Sequence, residues 1–270
     1  MKKNEKSLGR HTIASILLAF AMVLAIILLS GRENYARQIV QIQEYISVLS
    51  ERTADHVSDV FSNKNSAISL AAFLYGQLDH SISARTPSIE SDYLSVLESD
   101  ANFDIMRYVD INGMSYTSDG QSQDVSDREY YKLGIKGESG YTVVMESRFN
   151  NEKLIGFYSP VKCDGEITGV LIGFLRESAV SAILSTELYG YPAFTMLIGP
   201  DGDSLGQYHA QGLDYMADLD SVIDRINVSD KDELLKATAD RRSVDFKFNG
   251  NVGMSVGMIQ PINGSDWSLM

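Results

Sequence analysis

Arg128, Tyr130 and Tyr131 stand close together in Asp127-Arg128-Glu129-Tyr130-Tyr131-Lys132. A guanidinium presents a planar bidentate fork and each phenol adds a hydrogen bond, so this set suits a small anion, a carboxylate-bearing or polar planar ligand. The plainer alternative is that Arg128 pairs with Asp127 or Glu129 while the tyrosines pack a short helix. Tyr108, Tyr116, Tyr141, Met145 and Phe157 fall on neighbouring predicted strands and are candidates to line a pocket. Each of them also reads as ordinary core.

Other chemistry is missing from the sequence. There is no phosphate-binding glycine loop, dinucleotide fingerprint, HExxH helix or nucleophile elbow. His11, His56, His80 and His209 are scattered, and Cys163 is the single cysteine, which rules out an intrachain disulfide or a multi-cysteine zinc site. Asp201 and Asp203 share a glycine-bearing turn, yet the remaining oxygen ligands of a calcium loop are missing, so a hairpin turn is expected there. No catalytic residue, metal or cofactor is expected, and a surface hydrolase would lack a nucleophile with a base.

The charge is split by position. The chain carries −13 overall, yet Lys2, Lys3, Lys6 and Arg10 face only Glu5 in the first ten residues, so the remaining 260 hold 19 basic and 35 acidic residues, a net of −16. Such a surface repels phosphate backbones, and nucleic acid is not an expected partner. From Ile13 to Leu29 the only polar residue is Ser15, and Thr12 and Ser30 extend the run to 19 residues. A helix of that length spans about 28 Å, close to the hydrocarbon thickness of a bilayer. It exceeds the apolar core of a cleaved signal peptide and lacks a small-residue cleavage site. With the basic cluster before it, the run is expected to anchor the chain with its N-terminus in the cytoplasm and the rest outside the cell membrane.

Between Gly31 and Gly76 there is neither glycine nor proline, which predicts one helix of about 70 Å. Ile39, Ile42, Ile46, Leu49, Thr53, His56, Val60, Asn63, Ala67, Leu70, Leu74 and Gln77 follow a 3,4 spacing along it. The seam reads either as a parallel dimer stalk or as the side packing on the chain's own globular part. His56 reads there as a packing or capping residue. A short helix is predicted at Ile89 to Leu97, then strands at Phe103 to Val109 and Met114 to Thr117 around an Asn112-Gly113 turn. A helix at Asp127 to Leu133 and strands at Gly140 to Met145, Leu154 to Val161 and Ile167 to Leu175 follow, the last two joined at Asp164-Gly165. A helix from Glu177 to Leu188 ends at Tyr189-Gly190. The pattern then restarts: strands at Phe194 to Ile198 and Ser204 to Tyr208, helices within Leu213 to Ala239, and strands at Ser243 to Phe248 and Val252 to Pro261.

The Asp127 to Lys132 segment, Tyr158-Ser159-Pro160-Val161, Asp164-Gly165-Glu166-Ile167, Gly169-Val170-Leu171 and the late Asp266-Trp267-Ser268-Leu269 resemble the double Cache (dCache) sensor family of bacterial transmembrane receptors. The resemblance covers about residues 33–270. It implies an α+β fold: a transmembrane helix, a long stalk helix and two tandem PAS-like units with antiparallel sheets. The implied organisation is a cytoplasmic N-terminus at 1–11, the membrane helix at 12–30, a long helix and linker at 31–88, a membrane-distal ligand-binding unit at 89–176, a connecting helix at 177–190 and a membrane-proximal unit at 191–270. In amino-acid-binding members an Arg-x-Trp/Tyr-Tyr/Phe motif holds the carboxylate, which Arg128, Tyr130 and Tyr131 match. A later Asp holds the ammonium, and its position falls here at Phe174, which places α-amino acids in doubt.

The expected function is therefore extracytoplasmic sensing of a small molecule by a membrane-anchored homodimer, relayed to a cytoplasmic output. The wording of Tyr158 to Val161 and Gly169 to Gly173 resembles members whose output is a GGDEF diguanylate cyclase, with a second membrane span after Met270. A histidine kinase or methyl-accepting chemoreceptor are the alternative outputs, and a tethered exported binding protein without output is a rival of another class.

Overall fold

The computed structural model describes residues 2–77, 87–184, 194–209, 219–224, 228–250 and 253–270. Over residues 2–28 only the backbone is described, except at Met22. The chain separates into two compact units, Met1–Val48 and Leu49–Met270.

Helix α1 runs from Lys2 to Gly76, unbroken, as the absence of glycine and proline after Gly31 predicts. Among the described residues no helix is long and apolar enough to cross a membrane. Most side chains of the apolar run at 12–30 lie outside those described. In the first unit Ile39, Ile42 and Ile46 are half-buried, while Tyr35, Val40, Tyr45 and Val48 are exposed.

In the second unit α1 buries Ala54, Val57, Phe61, Ile68, Ala71, Ala72 and Tyr75. This stripe is offset by one residue from the expected seam. On that seam Thr53 is buried, but His56 and Asn63 are exposed and Leu70 and Leu74 are 59% and 48% exposed. The correction has a steric origin: Phe61 and Tyr75 bring the largest apolar area, and a helix turns its heaviest stripe inward. His56 is exposed.

The second unit continues with α2 (Pro87–Asp100), β1 (Ile105–Asp110), β2 (Met114–Thr117), β3 (Ser122–Asp124), α3 (Glu129–Gly134), β4 (Gly140–Tyr141), β5 (Met145–Glu146), β6 (Lys153–Cys163), β7 (Glu166–Arg176) and α4 (Glu177–Leu184). The strands form a seven-stranded sheet in the order β3-β2-β1-β7-β6-β4, with β5 also on β6. Five were expected. The two extra arise because Gly140 to Met145 splits into β4 and β5, and because Ser122–Asp124 adds an edge. Between β4 and β5, Thr142 turns inward and its Oγ1 accepts from the Gly156 N–H at 2.9 Å. A second sheet holds β8 (Phe194–Ile198), β9 (Ser204–His209), β10 (Val244–Gly250), β11 (Gly253–Pro261) and β12 (Ser268–Leu269), in the order β10-β11-β12-β8-β9, with α5 (Leu219–Ile223) and α6 (Val228–Ala239) between β9 and β10. Every pairing among the described strands is antiparallel. The expected Tyr189-Gly190 helix end lies outside the described residues.

The turns follow their sequence signals. Asp164 and Gly165 both have positive φ, at 50° and 89°, as an Asp-Gly hairpin turn requires. At Asn112-Gly113 the Asp110 side chain accepts from the Asn112 and Met114 N–H groups at 2.9 Å, and Gly113 sits at φ 86°. The Asp201 to Asp203 segment is the expected hairpin turn, with Gly199 N–H donating to the Asp203 carbonyl at 2.8 Å.

Candidate functional site

Strand pairing sorts the candidate residues onto the two faces of the first sheet, because direct partners in an antiparallel ladder share a face and neighbours along a strand alternate. Tyr108 pairs with Tyr116 and Leu171, Phe157 with Gly173 and Tyr141. All four predicted aromatics therefore point to the face that packs against α1 and α2. There Tyr108 stacks on Tyr75 at 4.8 Å, and Phe157 and Tyr141 each lie 5.4 Å from Phe61. The Tyr108 hydroxyl donates to the Thr168 carbonyl at 2.9 Å, and that of Tyr141 to the Gly264 carbonyl at 3.4 Å. Tyr108 and Phe157 are buried core, and Tyr116 and Tyr141 are half-buried against it.

The opposite face carries Arg107, paired with Ile172, together with Phe174, Leu154 and Met145. Helix α3 covers it. Gly134 lets the helix approach closely, since a Cβ there would lie 2.6 Å from a Val170 methyl. The helix brings Tyr130 edge-on to Phe174 at 6.4 Å and 6.5 Å from Tyr158. Arg128 is its N-cap, with extended backbone and no side-chain capping bond. Its side chain is thereby free of the helix and donates from Nη2 to the Glu146 carbonyl at 2.9 Å.

A small pocket results, lined by Arg107, Val125, Arg128, Tyr130, Met145, Glu146, Ser147, Arg148, Leu154 and Phe174. Of the nine residues expected from sequence, it gathers Arg128, Tyr130, Met145 and Phe174. Tyr131 is buried in the cluster beside it, where its hydroxyl donates to the Ile111 carbonyl at 2.8 Å. The ion pair considered for Arg128 is made instead by Arg148, which bonds the Asp127 carboxylate and donates to the Asp124 carbonyl at 2.9 Å.

Burial pushes the Tyr130 hydroxyl up to about 12, against the pull of Arg107, Arg128 and Arg148. It is thus a protonated donor at neutral pH. Burial also draws the Arg107 guanidinium down from its ordinary value. Arg148 and its bond to Asp127 hold that carboxylate below its usual range.

Sequence reasoning missed Arg107, Arg148 and the ring of Phe149, which lies 4.1 Å from the Arg107 guanidinium. Arg107 had a signal: it is a charge among Met106, Tyr108 and Val109 in a strand whose every other interior residue is apolar. Arg148 and Phe149 sit in the six-residue connection from β5 to β6 and had none. Among the described residues no cluster could hold a metal ion.

No family model matches the sequence, and no curated protein matches it. Solved structures do. The extracellular domain of rpHK1S-Z16, named as a histidine kinase, aligns with a TM-score of 0.64 at 16% identity over 86% of this chain and 93% of that one. The sensory domain of the Campylobacter jejuni chemoreceptor Tlp3 with isoleucine bound aligns at 0.60 and 14% identity over 86% and 91%. The ligand-binding domain of the Pseudomonas fluorescens chemoreceptor CtaA in complex with L-alanine aligns at 0.59 and 18% identity over 84% and 95%. At these identities the shared property is the fold: this chain is built like the ligand-binding domains of bacterial chemoreceptors.

Proposed function

We propose that the chain is the extracytoplasmic small-molecule sensor of a membrane-anchored receptor, and that its ligand pocket is the one between α3 and the first sheet. The observation that carries this reading is the meeting of Arg128 and Tyr130, freed from helix capping and held protonated, over an apolar floor of Met145, Leu154 and Phe174. Convergent polar groups beside apolar walls are the usual build of a small-ligand site, and the lining here also carries Arg107 and Arg148. The ligand carries at least one carboxylate, which the guanidinium and phenol bond together. Amino acids bound by the structural neighbours support a carboxylate-bearing ligand. Phe174, where an ammonium-binding Asp would stand, favours an acid without an amino group.

The dCache organisation, two tandem units with the first sheet distal to the membrane, fits the two antiparallel sheets and the long α1. The uncharged run at 12–30 anchors the chain in this reading, and the side chains described there, Met22, Leu29 and Ser30, are exposed. Exposed Leu70 and Leu74 on the expected seam support a homodimer through α1. The output is a cytoplasmic diguanylate cyclase in this reading, resting on the resemblance of Tyr158 to Val161 and Gly169 to Gly173. The neighbours' names favour a chemoreceptor or histidine kinase output as the second reading.

The test is a thermal-shift screen of the purified chain against organic acids, amino acids, purines and amines. A ligand at about 100 times its Kd adds about 2.7 kcal/mol of stability. Arg128→Ala should abolish the shift; a shift of parental size in that variant would remove the pocket from consideration.

A further inference from the structure

A single carboxylate on Arg128 and Tyr130 leaves the buried Nε of Arg107 without an acceptor. Arg107 lies mid-strand in the pocket wall, 5% exposed, and its Nε is buried without a hydrogen-bond partner. Phe149 and Phe174 pack on the guanidinium at 4.1 and 5.1 Å. Aromatic rings stabilise a cation, but the N–H groups of a guanidinium lie in its plane and want oxygen acceptors. A buried N–H without one forfeits hydration that the folded chain does not return.

Arg128 and Arg148 line the same pocket; the Arg128 charge opposes that of Arg107, while Asp119 and Glu98 favour it. The one acidic residue of the lining, Glu146, meets Arg128 through its backbone carbonyl, and Asp127 is taken by Arg148. Three guanidiniums therefore line one pocket: Asp127 is committed to Arg148, and Asp119 and Glu98 attract Arg107 while its Nε stays without an acceptor. An α-amino acid would bring a further cation into the pocket, at a Coulombic cost.

Resting on the pocket assigned above, we propose that the ligand is a small dicarboxylate. One carboxylate bonds Arg128 and Tyr130, and the other takes the Nε edge of Arg107. The free space is about 10 Å³, room for about one water. Entry therefore moves the connection from β5 to β6, which carries Phe149, away from Arg107.

The test compares succinate, butyrate and L-alanine by titration calorimetry on the full chain in detergent micelles at fixed ionic strength. Succinate should bind at least about 30-fold tighter than butyrate, the scale of one charge-assisted contact, and L-alanine weakest. Arg107→Met should cost succinate about 30-fold and leave butyrate within about 3-fold; Arg107→Lys, which keeps the charge without the fork, should fall between. Should Arg107→Met fail to fold, the wild-type ratio and Arg107→Lys decide. Equal binding of succinate and butyrate, or a succinate preference that survives Arg107→Met, overturns the proposal. If those results come with Arg128→Gln losing both acids, the pocket stands and only the dicarboxylate falls. If neither acid binds, or Arg128→Gln binds both as the parent does, the pocket assignment fails and takes the dicarboxylate with it.

Discussion

Arg128 occupies a helix position that capping chemistry gives to Ser, Thr, Asp or Asn, whose side chains would satisfy an N–H of the first turn at a gain of about 1 kcal/mol. Its side chain makes no such bond and reaches across to Glu146. A local rule broken without local compensation is what a binding residue looks like. Two residues on, Tyr130 has a measurable titration. In the unfolded chain a tyrosine deprotonates near 10, whereas the buried hydroxyl holds its proton to about 12. The folded state therefore keeps a proton that the unfolded state loses, so this contribution is whole below about pH 10 and disappears as pH rises toward 12. About 2 to 3 kcal/mol of stability should be lost across that window in urea titrations. Tyr130→Phe should flatten the loss, leaving the part due to Tyr131, Tyr141 and Tyr158, whose hydroxyls burial also pushes up. An unchanged alkaline slope in Tyr130→Phe would place that proton elsewhere. The Arg128 and Tyr130 pair was legible from residue type and spacing alone. Arg107 showed in the sequence only as a charge in an apolar strand; that it lines the same pocket depends on which face of β1 it occupies.

At the scale of elements, α3 is a six-residue helix, too short to persist by itself, so its place is set by packing. Gly134 is a point of close approach to the sheet. A methyl there would meet the Val170 side chain at 2.6 Å, and overpacking of this kind costs about 1 to 3 kcal/mol. Gly134→Ala should lower the melting temperature and also weaken ligand binding, since the helix that must lift carries Arg128 and Tyr130. A destabilised variant with parental affinity would show that α3 does not frame the site. For the four aromatics on the far side of the sheet, the sequence leaves pocket and core both open for lack of one datum, the parity of each strand. Tyr108 and Phe174 sit on paired strands, and a shift of one residue in register exchanges the faces of every side chain. The hairpin turns at Gly113 and Gly165 fix how β1 meets β2 and β6 meets β7; the antiparallel pairing of β1 with β7 spans about 60 residues of sequence and is fixed by packing.

For the whole molecule, the long helix carries two apolar stripes in its second half. Packing claims Ala54, Val57, Phe61, Ile68 and Tyr75, and leaves Leu70 and Leu74 exposed. If that second stripe pairs two copies, Leu70→Glu with Leu74→Glu should turn a dimer into a monomer in sedimentation without lowering the melting temperature of the sheets, because a charge at an apolar seam is costly only where the seam is closed. A parent chain that sediments as a monomer at high concentration would remove the stripe's role. By itself the sequence determined the α+β class, the unbroken helix and the hairpin turns, and it singled out Arg128, Tyr130 and Tyr131 as candidates, since each rests on residue types or torsions within a few positions of the chain. Only the tertiary structure decided which helix stripe is buried, which face of the first sheet looks at α3, and that Arg107 meets Arg128 across some twenty residues. Those depend on registers between distant segments, where the energy comes from burial shared by partners that no local window contains.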